Sequence, residues 1–257
     1  EQYQTAKAVE STDKIYTGYQ EIVVDDELVE QFYNDEEIRL DEELLKTQKI
    51  KLYANQFIML ISSSNPKKTA LARYIDMVHP LDKIRDRKHE TSWGVLPRNK
   101  EQGFAFDLLF DDTIPFVSLI GRAGSGKTLM AIAAGMEQTL GMHGNKYRKL
   151  VVSRPVQPMG KDIGFLPGDL KEKMMPWLAP IQDNLEMIIG QDKVVFKQFL
   201  EQGKIEIEAL TYIRGRSINN AFMIIDEAQN LTAHEVKTII TRVGENTKVV
   251  LTGDIEQ

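Results

Sequence analysis

Cysteine is absent from the 257 residues, which excludes structural disulfides and thiolate metal sites and fits a reducing compartment. Histidine is scarce, and the four present (His79, His89, His143 and His234) have no metal-ligand spacing, so no zinc site is assigned. No apolar run approaches the roughly 20 residues of a spanning helix and no signal peptide opens the chain, so a soluble, cytoplasmic protein without a membrane partner is expected. Internal repeats and low-complexity segments are also missing. The opening EQYQ has no initiator methionine, and the chain stops at GDIEQ directly after an expected strand, as a piece of something longer would.

Hydrophobic residues make up 42% of the chain, enough for a substantial core, and its length allows one large domain or two smaller ones. Charge is uneven: residues 1–50 carry 14 acidic against 5 basic side chains, and the remainder 24 against 27. A mildly basic body thus follows an acidic front, a weak form of the footprint that phosphate backbones require and equally an ordinary solvated surface.

Composition shifts near Trp93. Ahead of it stand β-like runs at 21–24, 49–61, 70–78 and 81–88, short helical candidates at 25–33 and 41–46, and the turn chemistry SSSNPKK (62–68), which predicts a hairpin. These imply a linker over 1–13 and a small β-rich domain over 14–92; small β barrels often bind single-stranded nucleic acid. From 93 to 257 strands and helices alternate, as in an α/β domain with a parallel sheet and crossover helices. Helices are expected at 99–110, 127–140, 192–202 and 233–243, with a helical region over 169–190 interrupted by Pro176 and Pro180. Strands are expected at 116–120, 149–153, 204–208, 222–226 and 248–252.

Between the strand FVSLI and the next helix lies GRAGSGKTL: Gly121, Arg122, Ala123, Gly124, Ser125, Gly126, Lys127, Thr128 and Leu129. Glycines let backbone N–H groups approach phosphate oxygens, and the helix N-terminus adds a favourable dipole. Lys127 would neutralise β- and γ-phosphate charge, and Thr128 would hold magnesium with ATP. FMIIDEAQN then ends an apolar strand in two carboxylates; Asp226 can reach the magnesium water shell and Glu227 can polarise an attacking water, which argues for hydrolysis. At a third strand end, VLTGDIEQ, Asp254 and Gln257 can sense the γ-phosphate with Thr252 as support. Upstream, Gln102 in RNKEQ can read an adenine edge, although helix capping by Asn99 explains that pattern equally well.

RNKEQ, GRAGSGKT, SRPVQPMGKDIGFLPGDLKEKM, YIRGRS, FMIIDEAQNLT and GDIEQ together resemble the PhoH family of P-loop ATPases, in the branch where a PIN nuclease domain precedes the ATPase. The resemblance covers the chain from about Tyr16 onward. It implies a RecA-like fold similar to the first motor domain of superfamily 1 helicases, ATP hydrolysis with magnesium, single-stranded RNA as partner, and a homo-oligomeric, hexamer-like ring. It assigns adenine reading to Gln102, phosphate and metal contacts to Lys127 and Thr128, metal and water contacts to Asp226 and Glu227, and γ-phosphate sensing to Gln257. The PIN domain and the segment that should follow GDIEQ are missing from this piece.

Phosphoryl transfer also calls for an arginine in cis or in trans. Arg214, Arg216, Arg154 and Arg242 are candidates, one of them expected to reach the ATP of an adjacent subunit, with Arg216 the one placed among the catalytic residues; a solvated YIRGRS loop is the plain alternative. The proline- and glycine-rich stretch 154–169 reads as an ordered functional loop. Arg154, Lys161 and Arg214 are the expected RNA phosphate contacts, and Phe165 or Trp177 can stack on bases or pack in the core. Two functions follow: ATP-driven RNA remodelling in service of an attached PIN ribonuclease, or an ATP-dependent switch or assembly module that moves no strand.

Overall fold

The computed structural model describes residues 18–84, 91–141, 146–155, 170–190, 193–213 and 217–254. The chain divides into two compact units between residues 87 and 88.

In the first unit, strands β1 (Tyr19–Val24), β2 (Gln56–Ser62), β3 (Thr69–Tyr74) and β4 (Asp82–Lys83) form one sheet in that order. The predicted β2–β3 hairpin is present, whereas β1 pairs parallel to β2. A parallel pair needs a crossover, and helices α1 (Asp26–Tyr33) and α2 (Glu42–Thr47) lie between the two strands in the chain. Val29, Phe32 and Leu45 from these helices pack with Ile22, Ile58, Leu60 and Ala72 of the sheet. Among the described residues β1 and β4 do not pair, so the sheet is open rather than a barrel. The Gln48 side chain covers the outer edge of β1, accepting from Val23 N at 3.2 Å and donating to Val23 O at 2.6 Å, which blunts a surface that would otherwise template pairing.

Two expected strands are shorter than their apolar runs. β2 begins only after Asn55, whose left-handed backbone (φ 63°) ends the preceding turn. β3 stops before Asp76, whose side chain accepts from Val78 N and His79 N and bends the chain away from the ladder.

The second unit is a parallel five-stranded sheet in the order β5-β9-β8-β6-β7: β5 (Phe116–Ile120), β6 (Lys149–Arg154), β7 (Ile205–Ala209), β8 (Ala221–Ile225) and β9 (Lys248–Gly253). Alternate residues of each inner strand enter opposite cores. Phe222 and Ile224 pack with α3 (Lys100–Phe110), α4 (Lys127–Leu140), α5 (Leu170–Ile189) and α6 (Lys193–Glu201). Met223 and Ile225 pack with α7 (Leu210–Ile213) and α8 (Ala233–Arg242). Every residue of β8 is buried, as a strand covered on both faces must be. This is the RecA-like P-loop NTPase architecture that the resemblance implies.

The expected interruption at Pro176 and Pro180 does not occur; α5 runs unbroken with both prolines inside it. Each interior proline costs about 3 kcal/mol. Leu178, Ile181, Leu185 and Ile188 are buried on this helix, and burial contributes about 1.5–3 kcal/mol per such side chain. Packing therefore outweighs the local penalty. α7 replaces the start of an expected loop for a similar reason, since Leu210 and Ile213 fill the second core. No described helix is long and apolar enough to cross a membrane.

Candidate nucleotide-binding site

The strand order decides where the chemistry gathers. β9 lies between β5 and β8, so the carboxyl ends of these three strands are neighbours although their sequences are far apart. A cleft of about 230 Å³ opens there. Ala123, Gly124, Gly126, Lys127 and Thr128 line one side, and Asp226, Glu227, Thr252, Gly253 and Asp254 the other.

The loop after β5 turns sharply into α4. Gly126 caps the helix with φ 85°, in the left-handed region where a side chain would be strained. The Lys127 ammonium lies across the loop, donating to Gly121 O at 2.6 Å, Arg122 O at 2.7 Å and Ser125 Oγ at 3.3 Å. A positive charge is thus held within the ring of backbone that a phosphate would enter.

Facing it, Asp226 is only 6% exposed. A buried carboxylate needs hydrogen-bond donors, and Oδ1 accepts from Thr128 Oγ1 and Thr252 Oγ1, both at 2.6 Å. One oxygen therefore joins the phosphate loop, the end of β8 and the end of β9. Glu227 follows with a left-handed backbone (φ 56°, ψ 41°) that ends β8 and starts the 3-10 turn Ala228–Asn230. Strain of this kind costs about 1–3 kcal/mol and gathers at functional sites.

Among the described residues two groups hold the Glu227 carboxylate. Gln229 Nε2 donates to Oε2 at 2.5 Å, and Arg154 Nη2 lies 3.2 Å from Oε1. Gln229 in turn accepts through Oε1 from Asp254 N at 3.0 Å, which ties the turn to β9. The turn sits so close that a Cβ on Gly253 would approach Gln229 Oε1 to 3.2 Å. Asp254 thus reaches this site through its backbone as well as by lining the cleft.

Gln102 lies at the start of α3, capped by Asn99, whose Oδ1 accepts from Gln102 N at 2.8 Å. Its Oε1 accepts from Arg98 N at 2.7 Å and its Nε2 donates to Ser125 O at 3.1 Å. Both explanations of RNKEQ thus meet in one place: the cap is real, and the amide touches the phosphate loop. Arg154 sits at the end of β6 on Glu227, and Trp177 accepts from Arg154 Nη1 through its carbonyl at 3.5 Å. Arg242 closes α8. Lys161, Phe165, Arg214, Arg216 and Gln257 lie outside the described residues. Sequence reasoning passed over Gln229 as a site residue, although its place two residues after Glu227 was the available signal. It also treated Thr252 only as support, whereas Thr252 shares the Asp226 oxygen with Thr128.

A family model described as "PhoH-like protein" matches residues 94–257, which takes in the whole cleft. The chain belongs to the PhoH family. "Protein PhoH2" of Bacillus subtilis is 44% identical over 253 residues, covering 97% of this chain and 55% of that protein. "Protein PhoH2" of Thermobispora bispora is 41% identical over 166 residues, 64% of this chain and 37% of that protein. A "PhoH-like protein" of Synechocystis is 43% identical over 138 residues, 54% of this chain and 40% of that protein. The chain thus spans about half the length, or less, of these curated relatives. Likeness to the Bacillus subtilis PhoH2 extends through both units, whereas the PhoH family model falls within the second.

Proposed function

We propose that the second unit binds ATP with magnesium, hydrolyses it, and couples turnover to single-stranded RNA. The observation that carries this reading is the pairing of Thr128 with Asp226 across a cleft that Glu227 also lines. The donor set fits magnesium, which favours a few hard oxygen ligands and keeps several waters: Thr128 Oγ1 would bind it directly and Asp226 through its water shell. When bound, magnesium neutralises charge on the β- and γ-phosphate oxygens.

The chain's own residues supply the rest. The Lys127 ammonium exchanges loop carbonyls for phosphate oxygens, which accept more strongly because they are charged. Glu227 orients water for attack on the γ-phosphorus, the bond from that phosphorus to the β-phosphate oxygen breaks, and ADP and inorganic phosphate leave, the water's proton passing to the phosphate or to solvent. Gln102 fixes the loop from α3, and the base-reading role that the resemblance implies would use this same amide. RNA as partner, a ring of identical chains and an attached PIN ribonuclease are supported by the resemblance of the motif set, RNA also by an arginine at the carboxyl edge of the sheet, and a cytoplasmic address by the lack of cysteine.

Steady-state ATP hydrolysis with and without oligouridylate, across salt concentrations, tests the proposal. Turnover should require magnesium, disappear in Lys127→Ala, and rise with RNA in a salt-sensitive way. Turnover indifferent to RNA would favour the switch or assembly reading, and magnesium-dependent turnover surviving in Lys127→Ala would defeat the site.

A further inference from the structure

Arg154 is already engaged before any strand is considered. Its Nη2 lies 3.2 Å from Glu227 Oε1 while Gln229 holds Oε2 at 2.5 Å, so each oxygen of the carboxylate that should orient water has a donor on it. The two donors differ in how firmly they are held. Gln229 is pinned by Asp254 N at 3.0 Å. Among the described residues Arg154 has one further contact, long at 3.5 Å, to the Trp177 carbonyl. The side chains of the ion pair are 23% and 29% exposed, so solvent and solutes reach it and its strength is modest.

We propose that Arg154 is a latch on Glu227, released when a phosphodiester of single-stranded RNA captures the guanidinium. Arg154 ends β6, the strand beside β8, so a polyanion on the carboxyl edge of the sheet meets it there. Phosphate oxygens receive a guanidinium in the same forked geometry as a carboxylate, so release exchanges one charge-assisted pair for another. Among the described residues the exchange leaves Glu227 held by Gln229, with Oε1 open to water. This rests on the proposed RNA-coupled ATPase and specifies its regulation.

Reciprocity supplies a test that does not depend on turnover. If Glu227 and RNA compete for Arg154, removing the carboxylate must strengthen RNA binding, and only through Arg154. Fluorescence anisotropy of a labelled oligouridylate with the nucleotide-free full chain should show Glu227→Gln binding about three- to fivefold more tightly, the worth of one partly exposed ion pair. Arg154→Ala should weaken binding and lower the salt slope by about one. Adding Glu227→Gln to Arg154→Ala should change nothing. In hydrolysis, Arg154→Ala should raise RNA-free turnover and flatten the RNA response. Should the alanine variant melt early, Arg154→Gln keeps a donor toward the Trp177 carbonyl and carries the same expectations.

Unchanged RNA affinity in Glu227→Gln, or equal tightening with and without Arg154, would overturn the latch and leave RNA-coupled hydrolysis standing. Absence of oligouridylate binding by the unaltered chain would defeat the RNA reading and the latch with it.

Discussion

In the proposed reaction Gln229 is a positioning residue that acts through Glu227. It fastens the Glu227 carboxylate on one side and the Asp254 backbone on the other. Gln229→Ala should therefore lower kcat by about tenfold, since small displacements of a catalytic group cost one to two orders of magnitude. The KM for ATP and the melting temperature should stay close to those of the parent chain. A raised KM with unchanged kcat would show that Gln229 serves binding instead. The gathering of Lys127, Thr128, Asp226 and Glu227 at one cleft was legible in the sequence because each lies in a short contiguous motif at a strand end. The engagement of Arg154 by Glu227 was not, because 73 positions of chain separate them and only the adjacency of β6 and β8 brings them together.

Among the elements, α4 shows how the site is kept rigid. An added Cβ at Gly135 would lie 2.7 Å from Leu150 Cδ1 and 2.7 Å from Phe222 Cδ1, both side chains fully buried. Gly135→Ala gains about 1 kcal/mol of helix propensity but overpacks a closed core, at about 1–3 kcal/mol. A net loss of about 1 kcal/mol is expected by denaturant titration, and a gain would show that α4 sits farther from the sheet. In the first unit, the Ser62 hydroxyl is the main cause holding the Asp26 carboxyl below its ordinary pKa, helped by the Ser64 hydroxyl and Lys68. With the folded value depressed, this contribution is full above about pH 4 and is lost as pH falls through the lowered value. Asp26→Asn should thus flatten the acid-side loss of protection in hydrogen exchange across β2 and β3. Equal acid sensitivity in both chains would remove Asp26 from the account. Most elements of the second unit were readable because alternation and glycine punctuation are local signals. The continuity of α5, the parallel placement of β1 and the short β3 were not, since they depend on burial and on side-chain bonds that no periodicity announces.

For the whole molecule, the proposed ring makes a distinct demand. If an arginine of one subunit completes the site of the next, chains carrying Lys127→Ala and chains carrying Arg216→Ala are each inactive alone, yet their mixtures regain turnover. Absence of recovery at every mixing ratio would place the arginine in cis or outside the reaction. The sheet order has a consequence of another kind. Among the described residues β5 meets the rest of its sheet only through β9, which enters the chain 128 positions later. During synthesis the phosphate loop therefore emerges long before the strand that seats it, and a ribosome stalled ahead of Lys248 displays that loop with no keystone. Nucleotide capture by such nascent chains should appear abruptly, as one late event, once Gly253 has cleared the exit tunnel.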